Sequence, residues 1–411
     1  MIKWKNLFKT FGPGILFAST AIGVSHLVQS TRAGAEYGFS LLIFVLLANI
    51  LKYPFFEFGS RYANVTGKSL LHAYKKRGNW LVIAYLIFTF LSMFVVIAAV
   101  GYVCAGLMGQ LFALDLNIHI IVLILFIVCV FILLFGGFGF LDSLIKFVSI
   151  ILLISTFSAF IIVIINGSQP HIANFTPPNI FNRKSLLFII ALIGWMPTAV
   201  DMSVWNSIWT VERINHSGYK PKLNETLLEF NIGYVITIIL SVCFITLGAF
   251  VMYGTGELFP NSSSEFAKKL IYLYTHALGK WSYWIIAIAS FSVMFSTTLA
   301  VFDGYARTIR DSFSLLFEIK SINKIYSFIL LLLGFLGYLI VWKFIDSFKQ
   351  LIDLATTISF LIAPFCAILN YKIIFSSDIP PEKKPPYWIK LLSLLGIVFL
   401  LVFSLIFILF L

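Results

Sequence analysis

Charge is what this sequence most conspicuously lacks. Only 11% of its 411 residues are Asp, Glu, Lys or Arg, while 60% are hydrophobic. A soluble domain carries roughly a quarter charged residues, so that class is excluded. Cysteine is equally sparse: Cys104, Cys129, Cys243 and Cys366 lie far apart in apolar runs. Such placement excludes a disulfide framework and a paired-cysteine metal knuckle, and reads as small core residues. Long polar stretches are missing too, so no sizeable soluble domain can be accommodated. The apolar runs do not alternate over about 10 residues, which excludes a membrane barrel.

What is present is a series of continuous apolar runs. Crossing about 30 Å of hydrocarbon takes roughly 20 apolar residues per helix. Eleven candidate spans satisfy this, at about 12–37, 39–63, 80–111, 118–137, 141–166, 185–214, 225–253, 280–310, 323–345, 347–371 and 388–411. The expected class is an all-α, multi-pass protein of the cell membrane. The formal net charge of +12 would suit a nucleic-acid binder, but its distribution excludes that partner. With the N-terminus cytoplasmic, 20 of the 29 Lys and Arg residues fall in cytoplasmic positions, beginning with Lys3, Lys5, Lys9, Arg61, Lys68, Lys75, Lys76 and Arg77 and including Lys146 and Lys320. That is the positive-inside bias, and the C-terminus is then external. The basic start could belong to a signal peptide, but its apolar run continues into Arg32 and Glu36 without a cleavage site.

Two spans are interrupted where the others are not, at Gly23-Val24-Ser25 and at Gly194-Trp195-Met196-Pro197-Thr198. They lie five spans apart. This spacing suits two inverted repeats, about 12–166 and 185–371, with an extra helix at 388–411, all in one transmembrane domain. An odd number of spans per repeat inverts the second copy. A broken helix exposes backbone N–H and C=O groups, each costing several kcal/mol in lipid unless satisfied. Matched breaks therefore point to a wet transport site near the membrane midplane.

The stretch "FGPGILFASTAIGVSHLVQSTRAGAEYGFSLLIFVLLANILKYPFFEFGSRYANVTGKSL", together with "ALIGWMPTAVDMSVWNS", resembles the Nramp family of proton-coupled divalent-metal transporters. The shared features are a Gly-Pro-Gly opening, Gly-Ala-x-x-Gly after the first break, Leu-Leu-Ala-Asn, and the end of the second span. The resemblance implies a LeuT-type fold with broken helices 1 and 6, and secondary transport by alternating access. Where the family's metal transporters carry Asp-Pro-Gly-Asn, this chain has Gly23-Val24-Ser25-His26. Matching the family's Met-Pro-His directly keeps Met196 and puts Thr198 at the His. Matching the upstream Ala-Leu-x-Gly instead puts Thr198 at the Met. The third span, where the family carries a proton-pathway carboxylate, has no Asp, Glu, His, Lys or Arg from Asn79 to Gln110.

These residues decide the expected cargo. A hard divalent cation calls for several oxygen ligands with at least one carboxylate, and only Asp201 supplies a charge. A small oxyanion calls for converging donors. Gly23 would supply exposed backbone, Ser25, His26 and Thr198 donors, and Asp201 an acceptor or coupling group. The sequence therefore favours a small inorganic anion such as bicarbonate. A proton-coupled Mn²⁺- or Mg²⁺-like cation, with Met196 as a further ligand, is the alternative. His26, Gln29, Arg32 and Lys52 are the coupling or pathway candidates, with H⁺ or Na⁺ as the possible coupling ion.

Other polar residues carry simpler readings. Arg32–Glu36, Glu57–Arg61 and Asp303–Arg307 are spaced i,i+4 and can neutralise each other on one helix face. Lys52 has no such partner and should face a polar interior. His72, His119, His171, His216 and His276 are scattered, and no ligand spacing indicates a metalloenzyme or a resident cofactor. An intramembrane enzyme would need a nucleophile–base or metal constellation; no such constellation is visible, so no enzyme is expected.

Overall fold

A computed structural model of the chain describes residues 13–135, 137–318, 322–344 and 347–410. Of the sequence readings, Lys3, Lys5, Lys9, Gly12, Lys320 and Leu411 lie outside the described residues, as do the side chains of Lys146 and His276. Helix α1 (Pro13–Ala21) passes through a bend into a π-helical segment, Ser25–Ser30, and then α2 (Thr31–Tyr37). Next come α3 (Leu42–Thr66), the short α4 (Leu70–Arg77), α5 (Asn79–Leu111), α6 (Ile118–Phe135) and α7 (Gly137–Asn166). A second broken pair follows: α8 (Arg183–Gly194) and α9 (Met202–Ser217), joined by residues 195–201. The chain continues through α10 (Leu223–Met252), α11 (Ser263–Leu278), α12 (Tyr283–Phe317), α13 (Ile322–Lys343), α14 (Phe348–Ile374) and α15 (Tyr387–Phe410).

Eight of these helices are long and apolar enough to cross a bilayer: α3, α5, α6, α10, α12, α13, α14 and α15. The other three expected spans fall on the two broken pairs and on α7. Large apolar side chains of α6, α13 and α15, among them Phe131, Phe335 and Leu405, are exposed. In water such a face would aggregate; in lipid it is matched to its solvent.

Small residues and buried carboxylates hold the broken helices in place. A Cβ on Gly34 would run into the Ile245 carbonyl, and one on Gly248 into the Thr31 carbonyl. Glycine therefore lets α2 and α10 approach backbone to backbone, the packing favoured where lipid removes a hydrophobic drive between helices. At the start of α1, the buried Glu229 carboxylate of α10 accepts from Gly14 N at 2.8 and 2.9 Å and from Ile15 N at 3.3 Å. An acidic group there satisfies the orphan donors and complements the positive end of the helix dipole. Behind it, Phe17 packs edge-on against Phe56 at 5.0 Å and Phe230 at 5.5 Å.

Candidate functional site

The first break ends α1 with the Ala21 carbonyl unpaired within its helix, and the next residues cap it. Ser25 Oγ donates to Ala21 O, and His26 Nδ1 lies 2.9 Å from the same oxygen. The other ring nitrogen, Nε2, lies 2.9 Å from Thr237 O on α10. His26 is fully buried and turned into the helix packing. Gly23 is required by close approach: a Cβ there would meet Thr297 Cγ2 of α12 at 2.6 Å.

The second break is capped from elsewhere. Lys52, fully buried in α3, donates through Nζ to Ile193 O and Gly194 O at 2.9 and 3.0 Å, and to Met196 O and Thr198 O at 2.9 Å each. These carbonyls belong to the end of α8 and to the unwound peptide after it. Because the capping charge arrives from another helix, the break's own side chains remain available. Asp201 stands at the N-terminus of α9 without making a side-chain cap. Its Oδ1 is buried with no hydrogen-bond partner among the described residues.

Between the breaks lies a cavity of about 30 Å³, room for roughly two waters or an ion. Its polar lining comes from Thr20 and Ser25 of the first broken helix, Thr198 and Asp201 of the second, Thr297 and Tyr305 of α12, and Ser359 of α14. Met202 adds a thioether, and Val96, Val100, Trp195, Ala199, Trp205 and Val301 are among the apolar walls. Among the described residues, Asp201 is the one carboxylate of the lining, and no Lys, Arg or His joins it.

The protons of the lining Ser and Thr hydroxyls are engaged by other groups of the chain. Thr20 Oγ1 donates to Leu16 O at 2.7 Å, Thr297 Oγ1 to Ser19 O at 2.9 Å, and Ser359 Oγ to Ala355 O at 3.0 Å. Ser25 donates to Ala21 O, and Thr198 Oγ1 to Met202 Sδ at 2.7 Å. A hydroxyl whose proton is engaged still offers oxygen lone pairs. These hydroxyls therefore present acceptors, beside the indole N–H of Trp205, whose Nε1 is buried without a partner among the described residues.

Charge networks flank the site on both sides. Arg32 Nη1 contacts both Asp353 oxygens at 3.0 Å, its Nε contacts Glu36 at 3.2 Å, and its guanidinium lies 4.2 Å from the Phe188 ring centre. Gln29 Nε2 reaches the same Asp353 at 3.1 Å. This cluster joins α2 to α14 and α8. At the other end, Arg307 bridges Asp303 at 2.7 Å and Glu212 at 2.9 Å, and Arg310 reaches Glu212 at 3.2 Å. That cluster ties α9 to α12.

Of the sequence-predicted residues, Ser25, Thr198 and Asp201 come together around the cavity. Gly23, His26 and Met196 do not line it. Both His26 nitrogens face chain carbonyls, Met196 is fully buried with its carbonyl on Lys52, and Gly23 packs beneath Thr297. Gln29 and Arg32 sit in one flanking cluster. Met202, Thr297, Tyr305 and Ser359 escaped the sequence reading. Met202 carried no periodic signal, because Thr198 lies in the unwound peptide before α9 and shares no helical face with it. Thr297, Val301 and Tyr305 do share one face of α12 by i,i+4 spacing. Among the described residues, no group of three or more His, Cys, Asp and Glu side chains gathers as a metal site.

Comparison with known proteins places these features. The family model described as natural resistance-associated macrophage protein-like matches residues 14–410. An uncharacterised protein of Pasteurella multocida is 34% identical over 98% of this chain and 93% of its own length. A divalent metal cation transporter, MntH, of Levilactobacillus brevis is 24% identical over 62% of this chain, a match spanning 56% of the transporter. Among solved structures, a manganese transporter of Eremococcus coleocola superposes with a TM-score of 0.70 at 16% identity, covering 98% of this chain and 86% of that one.

Proposed function

The chain belongs to the Nramp family of membrane transporters, with their LeuT-type fold, and from that premise we propose that it carries a divalent metal cation through the cavity between its two helix breaks. Family membership makes it a transporter, not an enzyme. The observation that carries the choice of cargo is the one unpaired carboxylate set among hydroxyls that present acceptors. A carboxylate with an unpartnered oxygen stands beside Ser and Thr hydroxyls whose protons are engaged elsewhere. A buried carboxylate facing an anion would be repelled, whereas facing a cation it offsets the ion's lost hydration. This reading replaces the anion expectation: His26 is turned away, and Ser25 and Thr198 have given their protons to Ala21 O and Met202 Sδ. Related proteins described as a divalent metal cation transporter and a manganese transporter point the same way.

Asp201 is the anionic ligand, Met202 a soft one, and the hydroxyls complete an oxygen set. A thioether beside carboxylate oxygen favours a first-row transition ion such as Mn²⁺ over Ca²⁺ or Mg²⁺. The bias of Lys and Arg supports a cytoplasmic N-terminus in the cell membrane. The Arg32–Asp353 cluster then closes the outer side and the Glu212–Arg307 cluster the inner one. Opening them in turn gives alternating access. Calorimetry of the purified protein against Mn²⁺, Mg²⁺, Ca²⁺ and bicarbonate tests this reading directly. Saturable Mn²⁺ binding lost in Asp201→Asn is expected; bicarbonate binding without Mn²⁺ binding overturns it.

A further inference from the structure

We infer that Lys52 is a tethered replacement for a mobile monovalent cation, filling a four-carbonyl binding site at the open end of α8. Ending a helix inside a membrane leaves carbonyls that neither water nor the next turn satisfies. Those carbonyls also carry the negative end of the helix dipole, which draws a cation. Here the oxygens of Ile193, Gly194, Met196 and Thr198 converge at 2.9–3.0 Å on one nitrogen. An ammonium has three N–H donors, so four acceptors on one head form a cage around a charge, with at least one proton shared. Among the described residues Lys52 makes no salt bridge; four carbonyls hold its head, with the Asp201 carboxylate the opposite charge that acts on it from a distance.

A side-chain ammonium confined here has two consequences that a dissolved ion would not. Tethering replaces a bulk concentration with a permanent local one, so the break stays capped whatever the sodium or potassium level. It also makes the cap part of α3. The unwound peptide at Met196 and Thr198, and with it the neighbouring Asp201 and Met202, is held to that helix through every transport cycle. Lys52 is thus a positioning residue, acting on the cavity through the backbone of the second break. The inference does not depend on which ion the cavity carries.

Thermal unfolding of the purified full-length protein in choline, sodium, potassium or ammonium chloride tests it. Wild type should unfold at the same temperature in all four salts. Lys52→Ala, which removes the charge and opens space, should unfold several degrees lower in choline chloride. It should recover with added ammonium or potassium in a saturable, concentration-dependent way. Lys52→Met, which fills the space without charge, should show the loss with no recovery. Lys52→Ala responding to ammonium and potassium no more than Lys52→Met overturns the inference. So does Lys52→Met unfolding with wild type in choline chloride, a comparison that stands even if the alanine variant fails to accumulate.

Discussion

At the first break, Ser25 and His26 cap the Ala21 carbonyl from within their own segment; at the second, a lysine from α3 caps carbonyls that α8 leaves open. Local capping turns His26 inward, with both ring nitrogens against chain carbonyls, and uses the Ser25 proton on Ala21 O. Remote capping leaves the break's own side chains free of the capping task, and Thr198, Asp201 and Met202 line the cavity, with Asp201 Oδ1 unpartnered among the described residues. Two interruptions that look equivalent along the chain therefore divide the labour. In the proposed reading the first anchors α1 to α10 and adds only hydroxyls to the cavity, and the second brings the carboxylate and the thioether.

The sharpest way to break this comparison is to disarm the second break. Asp201→Asn keeps the shape and removes the charge, and it should weaken Mn²⁺ binding by about a hundredfold or more, since a ligand outweighs the 10–100-fold typical of outer-shell partners. Calorimetry reads this directly, and retained affinity would return the ligand role to the first break. Met202→Leu should come next, costing roughly tenfold in Mn²⁺ affinity while leaving Mg²⁺ and Ca²⁺ binding nearly unchanged. Competition of the three ions for uptake into proteoliposomes checks the selectivity. On the first break, His26→Ala should lower stability by about 1–3 kcal/mol through loss of its buried ring and of its contact with Thr237 O, Ala21 O keeping Ser25. Its Mn²⁺ affinity should stay within a few-fold of wild type; a loss as large as that of Asp201→Asn would erase the distinction between the breaks.

The smallest effect lies away from both. Asp378, in the loop after α14, pairs with Lys76 and with Arg77 at 3.3 Å. Its hydrogen bond to Lys76, with the nearby positive charges, holds its carboxyl below the usual range. A carboxyl depressed in the folded state stabilises the fold above its ordinary pKa of about 4, and loses that contribution as pH falls through the folded value. Thermal unfolding between pH 7 and pH 3 should therefore differ slightly between wild type and Asp378→Asn, the two converging at the acid end. An exposed ion pair contributes little, so a large difference would show that this loop bears on the core.

Much of the architecture was legible along the chain because it is local. The positions of the apolar runs, both breaks and the ion pairs Arg32–Glu36, Glu57–Arg61 and Asp303–Arg307 follow from spacing within single helices. Asp201 stood out as the one charge near either break. The direction of His26 was not legible. Its Nε2 partner is a backbone carbonyl 211 residues away, and a carbonyl has no residue-type signature. For the same reason Lys52 read only as a buried cation seeking a polar interior: its partners are backbone atoms of another helix. The anion expectation followed the same fault, because the hydroxyls counted as donors had already donated, Ser25 to a carbonyl and Thr198 to a thioether.

Composition and periodicity alone thus determined that this chain lives in a bilayer, that it is helical, and where two of its helices come apart. Each of those follows from solvent chemistry acting on consecutive residues. Which polar groups face the cavity was decided by tertiary structure. A hydrogen bond once made to a carbonyl, whether four residues or two hundred away, removes that donor from the site, and only packing determines which bonds form.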